Sequence, residues 1–233
     1  MSDANRGLCL GLVGGLGVGA AAHYYQQLAK AHASLCAQLN LVLIHADVGH
    51  VLRLAAAGDT DSLAVYLADL IARMAAAGAQ LAAIPAVTAH IGEPRLNEIS
   101  SLPLVSLVEE IVREVHLRNI HRVALFGTRF TIESAMFGRL REFEVVLPQA
   151  DEIDFIHETY LQIVNSGACT GDRLDRLRQI AQGLCHKDGV EAVILAGTEL
   201  SLVFHSENTD FPCIDGARLH LEAIMRRLFA GTD

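Results

Sequence analysis

Ala82-Ala83-Ile84-Pro85-Ala86-Val87-Thr88 and Ala192-Val193-Ile194-Leu195-Ala196-Gly197-Thr198 align without a gap, 110 residues apart. Each is an apolar run that stops at a small residue and then a threonine. Short apolar runs without alternation read as strands covered on both faces, the pattern of parallel sheet. Two matching strand ends predict two related α/β lobes, each a parallel sheet flanked by helices, with one ligand cleft between them. A second echo supports duplication: Leu12-Val13-Gly14-Gly15 resembles Leu125-Phe126-Gly127-Thr128, 113 residues apart. Ligands of such sheets bind beyond the carboxyl ends of the strands, where every motif below falls.

Around these ends, strands are expected at residues 7–13, 39–45, 81–84, 104–105, 122–126 and 190–195. Helices are expected at 20–37, 62–77, 108–117, 131–141, 151–164, 172–186 and 216–229. Asp59-Thr60-Asp61 supplies caps for the second helix and Gly78 its stop. The boundaries this suggests are 1–103 plus 207–233 for the first lobe and 104–206 for the second. No low-complexity linker separates them.

The bulk properties narrow the function. Of 233 residues, 52% are hydrophobic, enough for a large core. No apolar stretch is long enough to span a membrane. Net charge is −9 and the only lysines are Lys30 and Lys187, which argues against nucleic acid or an anionic membrane as partner. The opening Met1-Ser2-Asp3-Ala4-Asn5-Arg6 has no cationic lead followed by a cleavage site, so a cytoplasmic location is expected. Cys9, Cys36, Cys169, Cys185 and Cys213 form no CxxC, and their odd number points to free thiols, most of them small buried hydrophobes.

Gly15-x-Gly17-x-x-Ala20 formally matches a dinucleotide fingerprint, with Asp47 offered as the ribose acid. Asp47 comes late for that role, and the second half has Gly127-Thr128 without a glycine cluster. The same physics serves a smaller anion, because glycines let backbone N–H groups approach a carboxylate at a helix N-terminus. A tight turn needing unusual φ suits either reading.

These residues carry a family resemblance. Gly11-Leu12-Val13-Gly14-Gly15-Leu16-Gly17 resembles the N-terminal motif of the aspartate/glutamate racemase superfamily. Pro85-Ala86-Val87-Thr88-Ala89-His90 resembles its Pro-Cys-Asn-Thr-Ala-His segment, and Leu195-Ala196-Gly197-Thr198-Glu199 its Leu-Gly-Cys-Thr-Glu segment. Gly127-Thr128-Arg129 with Thr131 and Ser134 is similar to its middle element, and Asp215-Gly216-Ala217-Arg218-Leu219-His220 to its closing stretch. The resemblance implies two pseudo-symmetric lobes, a homodimer, no cofactor, and a small carboxylate or amino-acid ligand held at the strand ends. It also implies two cysteines on opposite faces of the substrate, one removing the α-proton and one returning it. Here those two positions hold Ala86 and Gly197, and the family asparagine is Val87. A positioned acid or base contributes about 10²–10⁴ in rate, so two-thiol racemisation is expected to be absent.

Carried over onto this chain, the resemblance makes Thr88, Thr128 and Thr198 the expected carboxylate contacts, with Gly14, Gly15, Gly17 and Val87 beside them. Each threonine also suits helix capping. His90 and Glu199 are the remaining acid–base candidates, although orienting roles suit them equally. His45 and Asp47 follow the second strand. Arg53 and Arg129 suit a second substrate carboxylate, or plain solvent exposure. His45, His90 and His205 have no compact ligand spacing, so no metal is expected. Cys213 is the only thiol expected near a strand end. Two functions remain: a divergent enzyme acting next to the carboxylate, as isomerase or lyase, and a carboxylate-binding pseudoenzyme. A nucleotide-binding protein is the least favoured.

Overall fold

The computed structural model describes residues 7–205 and 207–230. The opening segment read for a leader, residues 1–6, lies outside the described residues. The chain divides into two compact units, residues 1–107 with 220–233, and residues 108–219.

The first unit holds a four-stranded sheet in the order β2-β1-β3-β4. Its strands are β1 (Leu10–Gly14), β2 (Leu41–His45), β3 (Leu81–Ala83) and β4 (Leu104–Val105), and every pair is parallel. β1 and β3 are buried throughout, as their unbroken apolar sequences require. Helix α1 (Val18–Ser34) follows β1, α2 (Val48–Ala57) follows β2, and α3 (Thr60–Ala76) leads to β3. α3 forms because Leu63, Leu67, Leu70, Ile71 and Met74 recur at helical spacing and bury one face. Asp59 starts it by accepting a hydrogen bond from the Ser62 N–H at 3.0 Å. Leu67 and Ile71 lie in the core beside Val13, Ala82 and Ile84. Truncating either to alanine should cost about 2–5 kcal/mol. A 3₁₀ turn (Val87–Gly92) and α4 (Glu93–Ile99) lie between β3 and β4.

The second unit repeats this plan in the order β6-β5-β7-β8, again all parallel. Its strands are β5 (Arg122–Phe126), β6 (Glu144–Val145), β7 (Ala192–Leu195) and β8 (Cys213–Asp215). Around them run α5 (Leu107–Leu117), α6 (Arg129–Glu133), α7 (Ala150–Ser166), α8 (Gly171–Lys187) and a 3₁₀ turn (Thr198–Leu202), while α9 (Gly216–Phe229) begins here and belongs from His220 onward to the first unit. α7 buries Ile153, Ile156, Thr159 and Ile163, and α8 buries Leu177, Ile180, Ala181 and Leu184. The two sheets share one strand order, so the fold is α/β with a repeated parallel sheet flanked by helices.

The structure departs from the sequence expectations at defined places. β4 pairs with β3, so Leu104–Val105 fall in the first unit; β8 pairs with β7, so Cys213–Asp215 fall in the second. Both differ from boundaries at 103/104 and 206/207. The helix expected at 131–141 stops at Glu133, because Ala135, Met136, Phe137 and Gly138 all have positive φ, from 50° to 73°. Three non-glycine residues in that region cost about 1–2 kcal/mol each. The turn is held by the Met136 N–H on the Thr131 carbonyl and the Phe137 N–H on Ser134 Oγ. α2 and α4 were not anticipated. α2 carries Gly49 in its first turn and α4 has proline at its start, and both are short. The cysteines are less buried than expected: Cys36 is exposed and the other four half-buried.

Candidate functional site

The aligned strand ends turn out alike at atomic level. After β3 the Ala86 N–H donates to the Ile84 carbonyl at 2.9 Å; after β7 the Ala196 N–H donates to the Ile194 carbonyl at 2.9 Å. Such three-residue turns commonly end strands. A 3₁₀ turn then begins after Ala86 in one case and after Gly197 in the other. Neither turn has a side-chain cap, nor has α1 after Gly17. The first N–H groups of a helical turn have no partner within it, and at these three starts the N-cap residue supplies none from its side chain. β5 differs: Thr128 Oγ1 accepts from the Thr131 N–H at 3.1 Å and caps α6 itself.

In the first unit, Gly15 has φ +86°, and a Cβ there would lie 2.8 Å from the Ala46 nitrogen and 2.9 Å from His45 Cδ2. Only glycine fits this turn. Gly14 packs against Leu43, and Gly17 precedes α1 in extended geometry. Asp47 does not reach toward the glycine loop for a ribose; its Oδ1 accepts from the His50 N–H at 3.0 Å and caps α2. His45 and Arg53 are exposed, Val87 is buried and Thr88 half-buried. His90 is 3% exposed, and both ring nitrogens are engaged by backbone. Nδ1–H donates to the Ala86 carbonyl at 2.9 Å, and Nε2 accepts from the Leu107 N–H at 3.3 Å. That pattern pins the segment after β3 to Leu107 within the same unit. Behind it His220 Nε2–H donates to the Val105 carbonyl at 2.9 Å, while Nδ1 accepts from the Tyr24 hydroxyl at 3.0 Å. Burial first, and then the nearby His90, push the His220 pKa down to about 3.

The second unit gathers polar groups at the end of β7. Thr198 and Glu199 are each 2% exposed. Glu199 Oε2 accepts from the Tyr160 hydroxyl at 2.7 Å and from Thr198 Oγ1 at 3.1 Å. Desolvation, and next the Glu199 charge, hold the Tyr160 phenol well above its ordinary pKa, so it stays protonated and donates. Tyr160 also fills the space beside Gly197. A Cβ at 197 would lie 2.7 Å from Tyr160 Cζ and 3.0 Å from Cδ2, and closer still to Cε2. One turn earlier on α7, His157 Nδ1 accepts from the Arg129 N–H at 3.3 Å. A single helix thus sends one polar side chain to the segment after β5 and another to the segment after β7. Gly127 permits those two segments to touch, since a Cβ there would lie 2.8 Å from the Ala196 carbonyl oxygen.

Other expected residues are occupied elsewhere. Arg129 pairs with Glu133 at 3.0 Å and with Asp154, both on its own chain. Cys213 opens β8 level with Val193, away from the carboxyl end, where Asp215 stands. Asp215 Oδ1 accepts from Ser201 Oγ at 2.6 Å and from the Arg218 N–H at 3.0 Å, which caps α9. His205 is exposed. Among the described residues no group of three or more His, Cys, Asp or Glu side chains is placed to hold a metal, and no helix is long and apolar enough to cross a membrane. Tyr160 and His157 escaped the sequence reading. Their signal was present: polar residues interrupting the isoleucine face of α7, four residues after Ile156 and Ile153 respectively.

The model of the Asp/Glu/hydantoin racemase family matches residues 13–224. The broad specificity amino-acid racemase RacX of Bacillus subtilis (strain 168) is 22% identical over 165 residues, covering 68% of this chain and 69% of RacX. Among solved structures, a candidate Asp/Glu racemase from Yersinia pestis superposes with a TM-score of 0.80 at 24% identity, over 95% of this chain and 99% of its own. PH1733, an aspartate racemase homologue from Pyrococcus horikoshii OT3, gives 0.76 at 20% identity, over 94% and 97%. At these identities the superpositions speak for the fold, while the family match spans most of the sequence: the chain belongs to the Asp/Glu/hydantoin racemase family.

Proposed function

We propose that this chain binds a small carboxylic or amino acid at its strand ends and acts on it next to the carboxylate, as a cofactor-independent enzyme that does not use a pair of thiols. The observation that carries the reading is that a helical turn starts directly after a small residue at three strand ends, after Gly17, Ala86 and Gly197. Thr88 and Thr198 stand at two of them, and a carboxylate needs such donors. Family membership supports an amino or carboxylic acid as the ligand, and RacX supports breadth. The positions that match the family cysteines hold Ala86 and Gly197, which have no proton to exchange. An isomerase or lyase working from one face of its substrate fits this absence of a pair of thiols. A homodimer in a reducing cytoplasm completes the proposal, in keeping with five free cysteines.

One observation favours the alternative, a pseudoenzyme that binds without turnover. In the first unit His90 has both ring nitrogens committed to backbone, so the segment after β3 lacks the acid–base group expected there. Calorimetric titration with aspartate, glutamate, malate and malonate tests the shared premise. Saturable binding of at least one, weakened about tenfold in Thr88→Val by loss of a charge-assisted hydrogen bond, is the expected result. Failure of all four to bind at millimolar concentration would remove it.

A further inference from the structure

Tyr160 lies where a side chain at residue 197 would lie, yet it comes from α7, outside the strand-end motif. Its ring is half-buried, while the carboxylate it bonds is buried. The phenol and the Glu199 carboxylate form a two-residue chain, with Thr198 Oγ1 bracing the same carboxylate oxygen. Tyrosine in this position is more than filler. An aromatic ring alone would fill the volume; the hydroxyl adds a 2.7 Å hydrogen bond to an acceptor with nowhere to relax.

We infer that Tyr160 and Glu199 form a proton relay that works on one face of the bound acid, the phenol touching the α-carbon hydrogen and Glu199 storing the proton. This rests on the carboxylic-acid reading above. In the forward step the phenolic oxygen takes the α-proton as its own proton passes to Glu199 Oε2. The C–H electron pair moves into the substrate, which becomes an enediolate. Tyr160 ends as a neutral phenol and Glu199 as a neutral carboxylic acid, so charge and protons balance with no co-reactant. The reverse step returns a proton to the same face. While the enediolate persists, the phenol and the Glu199 carboxyl swap their two protons, so a solvent deuteron loaded onto Tyr160 between turnovers is the one returned to the α-carbon. The relay thus washes solvent hydrogen into the α-position without inverting it. Glu199 acts through Tyr160 and is a positioning and storage residue; Tyr160 is the catalytic one.

The test is α-proton exchange of L-aspartate, L-glutamate, L-malate and malonate in deuterated water, followed by proton NMR, with binding measured in the same samples by calorimetry. Wild-type protein should exchange at least one of these and leave a chiral substrate's configuration intact. Tyr160→Phe keeps the ring and the packing; it should bind as before and lose about 10²-fold or more in exchange. Glu199→Gln should lose exchange similarly, with kcat reduced and KM little changed. Gly197→Ala, which pushes the ring aside, should lose exchange while the folded spectrum persists. Exchange at the wild-type rate in Tyr160→Phe would overturn the relay, as would racemised product. Binding without any exchange by wild-type protein also overturns it while sparing the carboxylic-acid reading; loss of both binding and exchange overturns the two together.

Discussion

Tyr160 occupies the volume that a Cβ on Gly197 would need. Residue 197 must be glycine while the ring stays, and the ring is tied in place by Glu199. The two residues therefore form one unit of design, although 37 positions of chain separate them.

Gly197→Ala should accordingly be destabilising. The added methyl meets an aromatic ring that is hydrogen-bonded and packed, so overpacking of about 1–3 kcal/mol is expected. Pairing it with Tyr160→Ala should recover much of the loss, because the ring is what the methyl strikes. Urea unfolding of the two single variants and the double variant checks this, and additivity of the two effects would speak against the contact.

Gly15→Ala tests the first unit in the same way, with a different cause. Here a positive φ and the backbone of Ala46 both oppose a Cβ. A loss of more than about 1 kcal/mol is expected, against less than that for the same change at Gly171, where a Cβ meets nothing within 4 Å. Thermal melts of both variants make the comparison.

The His220 pKa sets an acid limb on stability. The folded value is near 3 and the ordinary value 6.5, so the unfolded chain binds this proton more readily. The contribution is complete above pH 6.5 and is lost as pH falls toward 3, at about 1.4 kcal/mol per pH unit for one proton. Tyr24, His90 and the Val105 carbonyl face the ring and none supplies a negative charge to hold a proton there. Urea midpoints between pH 4 and 7.5 should fall in acid for the native protein and fall less for His220→Asn.

Parallel pairing and most helices were legible because the pattern was strong; the strand order and the edge strands β6 and β8 were not. The runs at 82–88 and 192–198 are apolar throughout and occupy the central strands β3 and β7, and α3 repeats its apolar face over seventeen residues. The first echo was legible for the same reason, and its two members share a backbone turn. The end of α6 was not legible: Ala135, Met136 and Phe137 have ordinary helix propensity, and only tertiary packing puts them at positive φ. The site was legible at its strand ends, where glycine and threonine mark a turn. Its acid–base content was not. His90 and Glu199 looked equivalent in sequence, yet one is bonded on both nitrogens to backbone and the other to a phenol from a distant helix. Arg129 looked available and is held by Glu133 and Asp154. Partners far apart in the chain decide what a titratable group is free to do.

The central claim is that proton chemistry here proceeds without sulfur. A variant carrying serine in place of Cys9, Cys36, Cys169, Cys185 and Cys213 puts it to the most direct test, by α-proton exchange in deuterated water on the four acids named above. The account predicts exchange at the rate of the unaltered protein. Exchange that disappears with the thiols, in a variant that still folds and binds, would contradict it.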